Sequence, residues 1–352
     1  MKGIQGVFVL LLLIAGIFYA VAGETGSEQA ISNIEKLLKT KEVSIETKIS
    51  PKQFDSIIEG EIYNWIGKNS NKLIEILGEP VRKDMSSYGY TWWVYTNMED
   101  EYIQFGISND NLISTVFATG NNLSTEPVLI GQTYEEVDRH FKFNNEISFS
   151  TYRFELTEDD VKLRPLSQID DNTFIQFYFD SFTDKLSSIR VLSGDVLLAQ
   201  KPYEIFYRGK LPETPILSED DWKEIEKGME QQIFDITNVI RSRFEKDSLA
   251  WDDPVSQVAF GHSKDMAINN YFSHYSLDGK GLKERLNDSE IFYHSAGENI
   301  AAQYTDGPAA VEGWLNSEEH RDAMLKDEYT HLGVGVYQYY YTQNFLRILS
   351  EQ

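Results

Sequence analysis

From Trp222 onward apolar residues return every three or four positions, at Ile225, Met229, Ile233, Ile236, Ile240 and Phe244. That stripe predicts a strongly amphipathic helix. A second helix is expected after Asp253, with Pro254 in its first turn and Val255, Val258, Ala259, His262 and Met266 on one face. A third opens near Pro308 and carries Val311, Trp314 and Leu315. The closing run HLGVGVYQYYYTQNFLRIL reads as strands, its glycines letting another backbone come close. Between the second and third helices, HSAGENIA at 294–301 reads as a loop in which Gly297 lets the chain bend and Asn299 ties the turn.

The chain ahead of Trp222 follows another pattern. IGKNSNKLIEIL from Ile66 and IGQTYEEVDRHF from Ile130 share an Ile-Gly opening and a helical spacing, and YIQFGISNDNLISTVFATG from Tyr102 is echoed by FIQFYFDSFTDKLSSIRVLSG from Phe174. Each IQF strand alternates and runs into an Asn/Asp-rich turn, the pattern of a β-hairpin with one buried face. A tandem-repeat α+β domain over 58–198 is expected, with repeats at about 64–120 and 128–194. A linker at 199–220, containing Pro202, Pro212 and Pro215, then leads into a C-terminal domain over 221–352. Gly67, Gly120, Gly131 and Gly194 serve turns and helix ends, since no Walker or dinucleotide pattern surrounds them. The aromatic stretch TWWVYTNMEDEYIQF reads as half-buried sheet rather than as a ligand platform.

At the N-terminus, Lys2 precedes an apolar run from Val7 to Tyr19, followed by Ala20-Val21-Ala22 in the small-x-small form of a signal-peptidase site. Residues 1–23 are therefore a signal peptide or, since Ile4 to Ala22 is long enough to cross a bilayer, an N-terminal membrane anchor. A polar spacer follows at 24–57. The net charge of -24, from 56 acidic against 32 basic residues, repels phosphate backbones and excludes nucleic acid as a partner. It also repels anionic lipid, so contact with a membrane is expected only through the N-terminal segment. With no cysteine, the fold of an exported chain rests on packing rather than disulfides, as suits a bacterial envelope protein.

The histidines crowd towards the C-terminus: after His140 come His262, His274, His294, His320 and His331. His274, Glu298 and His320 lie in three separate segments, so no local spacing forces them together as a single zinc helix would. What joins them is a resemblance. FDITNVIRSRFEKDSLAWDDPVSQVAFGHSKDMAINNYFSHYSLDGKGLKERL, AGENIA, AVEGWLNSEEHRDAML, HLGVGV and YYTQNF, in that order, resemble the CAP superfamily, which includes cysteine-rich secretory proteins, plant pathogenesis-related proteins and bacterial SCP-like proteins. The tandem region ahead of them resembles the CAP-associated N-terminal domain of exported bacterial proteins.

The resemblance implies a C-terminal three-layer α-β-α sandwich with a cleft of two histidines and two acids, so the whole chain is expected to be α+β. His274, Glu298 and His320 take three of those places. Ser317 stands where eukaryotic relatives have glutamate, and the common SPGHR is SEEHR here, which offers Glu318 or Glu319 as a second acid. His294 is then a neighbour in the loop, whereas His262 and His331 are packing residues. Two imidazoles and a carboxylate suit a divalent, zinc-like metal on His274, Glu298 and His320, or acid–base work without one. No G-x-S-x-G elbow is present and Ser317 is the one candidate hydroxyl. The expected function is an extracytoplasmic module binding a ligand or metal, its partner an envelope ligand, lipid or protein. The rival is a metal-assisted, peptidase-like hydrolase using the same cleft.

Overall fold

Aromatic and β-branched side chains dominate 90–119 and 173–192, and they pair into one antiparallel sheet. The computed structural model describes residues 60–348 apart from 98, 122 and 124, so the expected signal or anchor and the spacer lie outside the described residues. In chain order come a 3-10 turn at Ile62–Trp65, α1 (Asn71–Leu77), β1 (Arg82–Met85), β2 (Tyr90–Thr96), β3 (Glu101–Ser108) and β4 (Ile113–Gly120). They are followed by α2 (Tyr134–Phe141), β5 (Glu146–Phe149), β6 (Tyr152–Glu155), α3 (Glu158–Leu163), β7 (Leu166–Gln168), β8 (Thr173–Asp180), β9 (Lys185–Ser193) and α4 (Gly194–Gln200). The large sheet has the order β1-β2-β3-β4-β9-β8-β7. The two IQF strands, β3 and β8, thus flank the central pair, in which Val116 faces Val191 and Phe117 faces Arg190. Thr133 and Thr157 open α2 and α3 with capping boxes closed by Glu136 and Asp160.

The expected single buried face of this sheet is corrected by the fold: β3 and β8 are buried on both sides. Ile103, Phe105, Ile175 and Phe177 pack under Trp65 and Leu73. On the other face Tyr102, Phe117, Tyr178 and Leu192 enter a core shared with Ile225, Met229, Ile233, Ile236 and Trp314 of the C-terminal half. One core therefore runs through both halves, and the described residues belong to a single compact unit. Residues 199–220 are more than a connection: they finish α4 and supply strand β10 (Glu204–Tyr207), which pairs with β6 in a three-stranded sheet ordered β10-β6-β5.

The C-terminal half contains α5 (Glu219–Arg243), β11 (Ala250–Trp251), α6 (Asp253–Asn269), α7 (Leu282–Asp288) and β12 (Ser295–Ala302). It ends with α8 (Gly307–Leu315), α9 (Glu318–Leu325), β13 (His331–Tyr337) and β14 (Tyr340–Arg347). The sheet β11-β13-β14-β12 forms the middle layer. Val255, Val258 and Leu286 of α6 and α7 pack on one side of it, and Ile233, Ile236, Trp314 and Met324 of α5, α8 and α9 on the other. This is the three-layer sandwich. Among the described residues no helix is long and apolar enough to cross a membrane.

Gly333 and Gly335 let α6 lie directly on β13, because a Cβ on either would run into the helix backbone at Val255–Ser256 and Ala259–Phe260. Ser263 Oγ uses that closeness to donate to the Gly335 carbonyl at 2.8 Å. Gly335→Ala is expected to cost about 1–3 kcal/mol through forced separation of helix and strand. A chemical-denaturation curve superimposing on the parent's would refute this account of the contact.

Candidate functional site

Glu298 is carried by an edge strand, not by a loop. β12 pairs along its length with β14, placing Glu298 opposite Asn344 and Gly297 opposite Phe345. The expected bend at Gly297 is absent; its hydrogen is needed because Tyr329 lies where a Cβ would go. Asn299 is not in a turn either. Its Nδ2 donates to the His320 carbonyl at 3.0 Å and to Gln343 Oε1 at 3.3 Å, fastening β12 to α9.

The geometry brings His274, Glu298, His320 and Ser317 together. His274 Nδ1 lies 2.9 Å from Glu298 Oε1, with the carboxylate side chain 4% exposed and the imidazole 48% exposed. The His274 and His320 rings stand 6.5 Å apart, centroid to centroid. His320 Nδ1 is 2.8 Å from the hydroxyl of Ser317, which begins α9. Ser317 makes no capping bond with its side chain, so the hydroxyl serves the ring instead. Burial, then the nearness of His274, lowers the His320 pKa below its ordinary value, leaving that ring neutral at neutral pH.

A residue that the search for histidines and acids overlooked completes the cluster. Arg285 on α7 donates from Nη2 to Glu298 Oε2, while its Nη1 reaches the carbonyls of His274 and Lys280, each at 3.1 Å. The carboxylate thus holds an arginine on one oxygen and an imidazole on the other, and Arg285 also fixes the backbone carrying that imidazole. Its signal in the sequence is only a basic residue in KERL, which on an isolated helix reads as solvated.

The expected metal set is His274, Glu298 and His320. Among the described residues, no group of three or more His, Asp or Glu side chains comes together to hold an ion. Glu298 is engaged by Arg285, itself 10% exposed, so a metal on that carboxylate would compete with the guanidinium. Glu318 does not join the site; it and Glu319 are exposed at the start of α9, although the charge of Glu319 reaches His320. His294 is exposed beside β12. His331 turns Nδ1 to Thr330 Oγ1 at 2.8 Å, away from the site chemistry. His262 is 1% exposed, with Nε2 3.0 Å from the Ser273 carbonyl, and burial lowers its pKa.

Ser317 and His320 are not arranged as the serine and histidine of a triad. In a serine triad the acid orients Nδ1 and the nucleophile faces Nε2. Here the hydroxyl occupies Nδ1, and the acid belongs to the other histidine. Arg321, next to His320, is bound elsewhere: its guanidinium forks onto Asp180 of β8 at 2.8 and 2.9 Å, tying the site helix to the large sheet.

Comparison with known proteins follows this geometry. Residues 66–203 match the family model described as CAP-associated N-terminal, and residues 234–348 match the cysteine-rich secretory protein family. Membrane protein YlbC of Bacillus subtilis (strain 168) is 42% identical over 351 residues, covering 99% of each chain. A crystal structure of an extracellular SCP-domain protein from Bacillus anthracis str. Ames superposes with a TM-score of 0.78 at 43% identity, over 82% of this chain and 96% of that one. A cysteine-rich secretory protein from Staphylococcus aureus subsp. aureus Mu50 gives a TM-score of 0.71 at 23% identity, over 82% and 96%, and shares the fold.

Proposed function

This chain belongs to the cysteine-rich secretory protein family, in the bacterial form carrying a CAP-associated N-terminal domain, and from that premise we propose that it is an extracytoplasmic binding module whose cleft performs no catalysis. Membership of a family with extracellular relatives, one related protein named a membrane protein and an apolar N-terminal segment support a place at the outer side of the cell membrane.

The observation carrying the binding reading is the double engagement of Glu298. A carboxylate held by both Arg285 and His274 is a good scaffold: accepting from Nδ1–H, it fixes the ring orientation and presents Nε2 to a ligand. On the segment that carries His274 the chain exposes Phe272, Tyr275 and Leu277 at 55%, 65% and 71%, apolar surface near the imidazole in sequence. A ligand with a hydrogen-bond donor at one end and an apolar body fits both features.

The test is metal content. Purified full-length protein, equilibrated with zinc and passed through a desalting column, is expected to retain far less than one ion per chain by elemental analysis. The His274→Ala, His320→Ala double variant is expected to behave alike. Stoichiometric retention in the parent and its loss in the double variant would restore the metal-assisted hydrolase.

A further inference from the structure

A cavity distinct from the histidine cleft lies between the large sheet and the C-terminal sandwich, with residues of both halves in its wall. Its volume is about 900 Å³, towards the upper end of the roughly 300–1,000 Å³ typical of small-molecule sites. Arg164, Gln176 and Tyr178 come from the N-terminal half, and Tyr304, Glu312 and Tyr339 from the C-terminal half.

A buried acid, Glu312, belongs to its wall. The residue is 2% exposed on α8, and its Oε1 accepts from Ser187 and Ser188 at 3.0 and 2.6 Å. Oε2 has no partner among the described residues. A buried carboxylate oxygen left without a donor is costly, and burial accordingly favours the protonated carboxyl. Gly313 beside it admits the Tyr304 ring, since any Cβ there would strike that ring. Across the cavity, Arg164 spends Nε on Asp160 at 2.7 Å and keeps both terminal nitrogens free of hydrogen bonds among the described residues.

The wall mixes chemistries. Asp160 disfavours an anion, Arg164 and Lys201 disfavour a cation, and polar groups interrupt the apolar lining that a lipid tail would need. Aromatic rings beside carboxylate, amide and guanidinium groups instead suit a neutral ligand with flat C–H faces and many hydroxyls. We propose that this cavity is a saccharide-binding site, in which Arg164 donates to a sugar oxygen and Tyr304 stacks on a ring face. The N-terminal half thereby acquires a role: it builds the second wall of a glycan site that the sandwich by itself lacks.

The probe is the tetramer of N-acetylglucosamine, tested by saturation-transfer NMR and calorimetry on the full chain. Saturable binding at concentrations on the order of millimolar or below is expected, weakened about tenfold or more by Arg164→Ala and by Tyr304→Ala. The His274→Ala, His320→Ala double variant is expected to bind like the parent. Absence of saturation transfer at several millimolar overturns the proposal, as does undiminished binding by both cavity variants. Binding abolished by the histidine double variant would move the sugar to the other cleft and overturn it equally.

Discussion

Asp306→Ala is expected to lower the unfolding free energy by about 3–5 kcal/mol, the cost of leaving a buried charge without its partner. Arg190 of β9 is 0% exposed and reaches Asp306 at 2.7 Å, with Asp306 itself 7% exposed. Burial, the largest single effect, would lower the arginine pKa; Asp306, Tyr178 and Tyr90 together raise it, so the guanidinium stays charged. It sits between the faces of Phe117 and Tyr178, 5.5 and 5.8 Å from their centroids, with Gln200 Oε1 at 3.3 Å as its other acceptor. Asp306 has a second task, accepting from the Ala309 amide at 3.1 Å to cap α8. Asp306→Ser separates the two, since serine keeps the cap and loses the charge. It is expected to recover about 1 kcal/mol of the alanine loss, and adding Arg190→Leu to it most of the remainder. Urea melts with an unchanged slope would carry these comparisons. A loss below about 1 kcal/mol for Asp306→Ala would show that the guanidinium finds water or another partner, and that this pair does not tie the halves together.

The long helices were legible because their evidence is local. The stripe from Ile225 to Phe244 corresponds to α5 within a few residues, with Ser218 and Asp221 forming the capping box that starts it. Likewise Gly333 and Gly335 announced a close backbone approach, and the helix α6 supplies it. What escaped depends on partners distant in the chain. SAGENIAA has small residues where a strand usually shows large alternating ones, and only pairing with β14 makes it β12. Tyr102, Phe117 and Tyr178 alternate like residues of a one-sided sheet, and nothing near them tells of α5 and α8 on the other face. At the site, residue types named His274, Glu298 and His320, whereas their convergence came from family resemblance. Arg285 and Glu312 look like ordinary charges on helix surfaces until α7 turns under β12 and α8 meets β9.

Glu312 also sets a pH dependence that can be isolated. Burial is the chief reason its pKa is pushed up from an ordinary 4.5 to about 7, partly offset by the hydroxyls of Ser188 and Ser187 and by Arg243. A carboxyl with a raised folded-state pKa keeps its proton in the native chain after the unfolded chain has lost it. The native state therefore binds the extra proton, and stability falls as pH rises. The favourable contribution is complete below about pH 4.5, declines through about pH 7 and is gone above it. A shift of this size corresponds to about 3 kcal/mol. Glu230 is also raised to about 7, chiefly by burial, so the parent curve alone does not assign the slope. The difference between the parent and Glu312→Gln does, because glutamine retains an acceptor for the two serines and never ionises. The variant is expected to match the parent near pH 5 and exceed it by about 3 kcal/mol near pH 9 in paired urea melts. A constant difference across that range would mean that Glu312 is ionised in the native chain, its charge balanced by Arg243 and the serine hydroxyls rather than suppressed by burial.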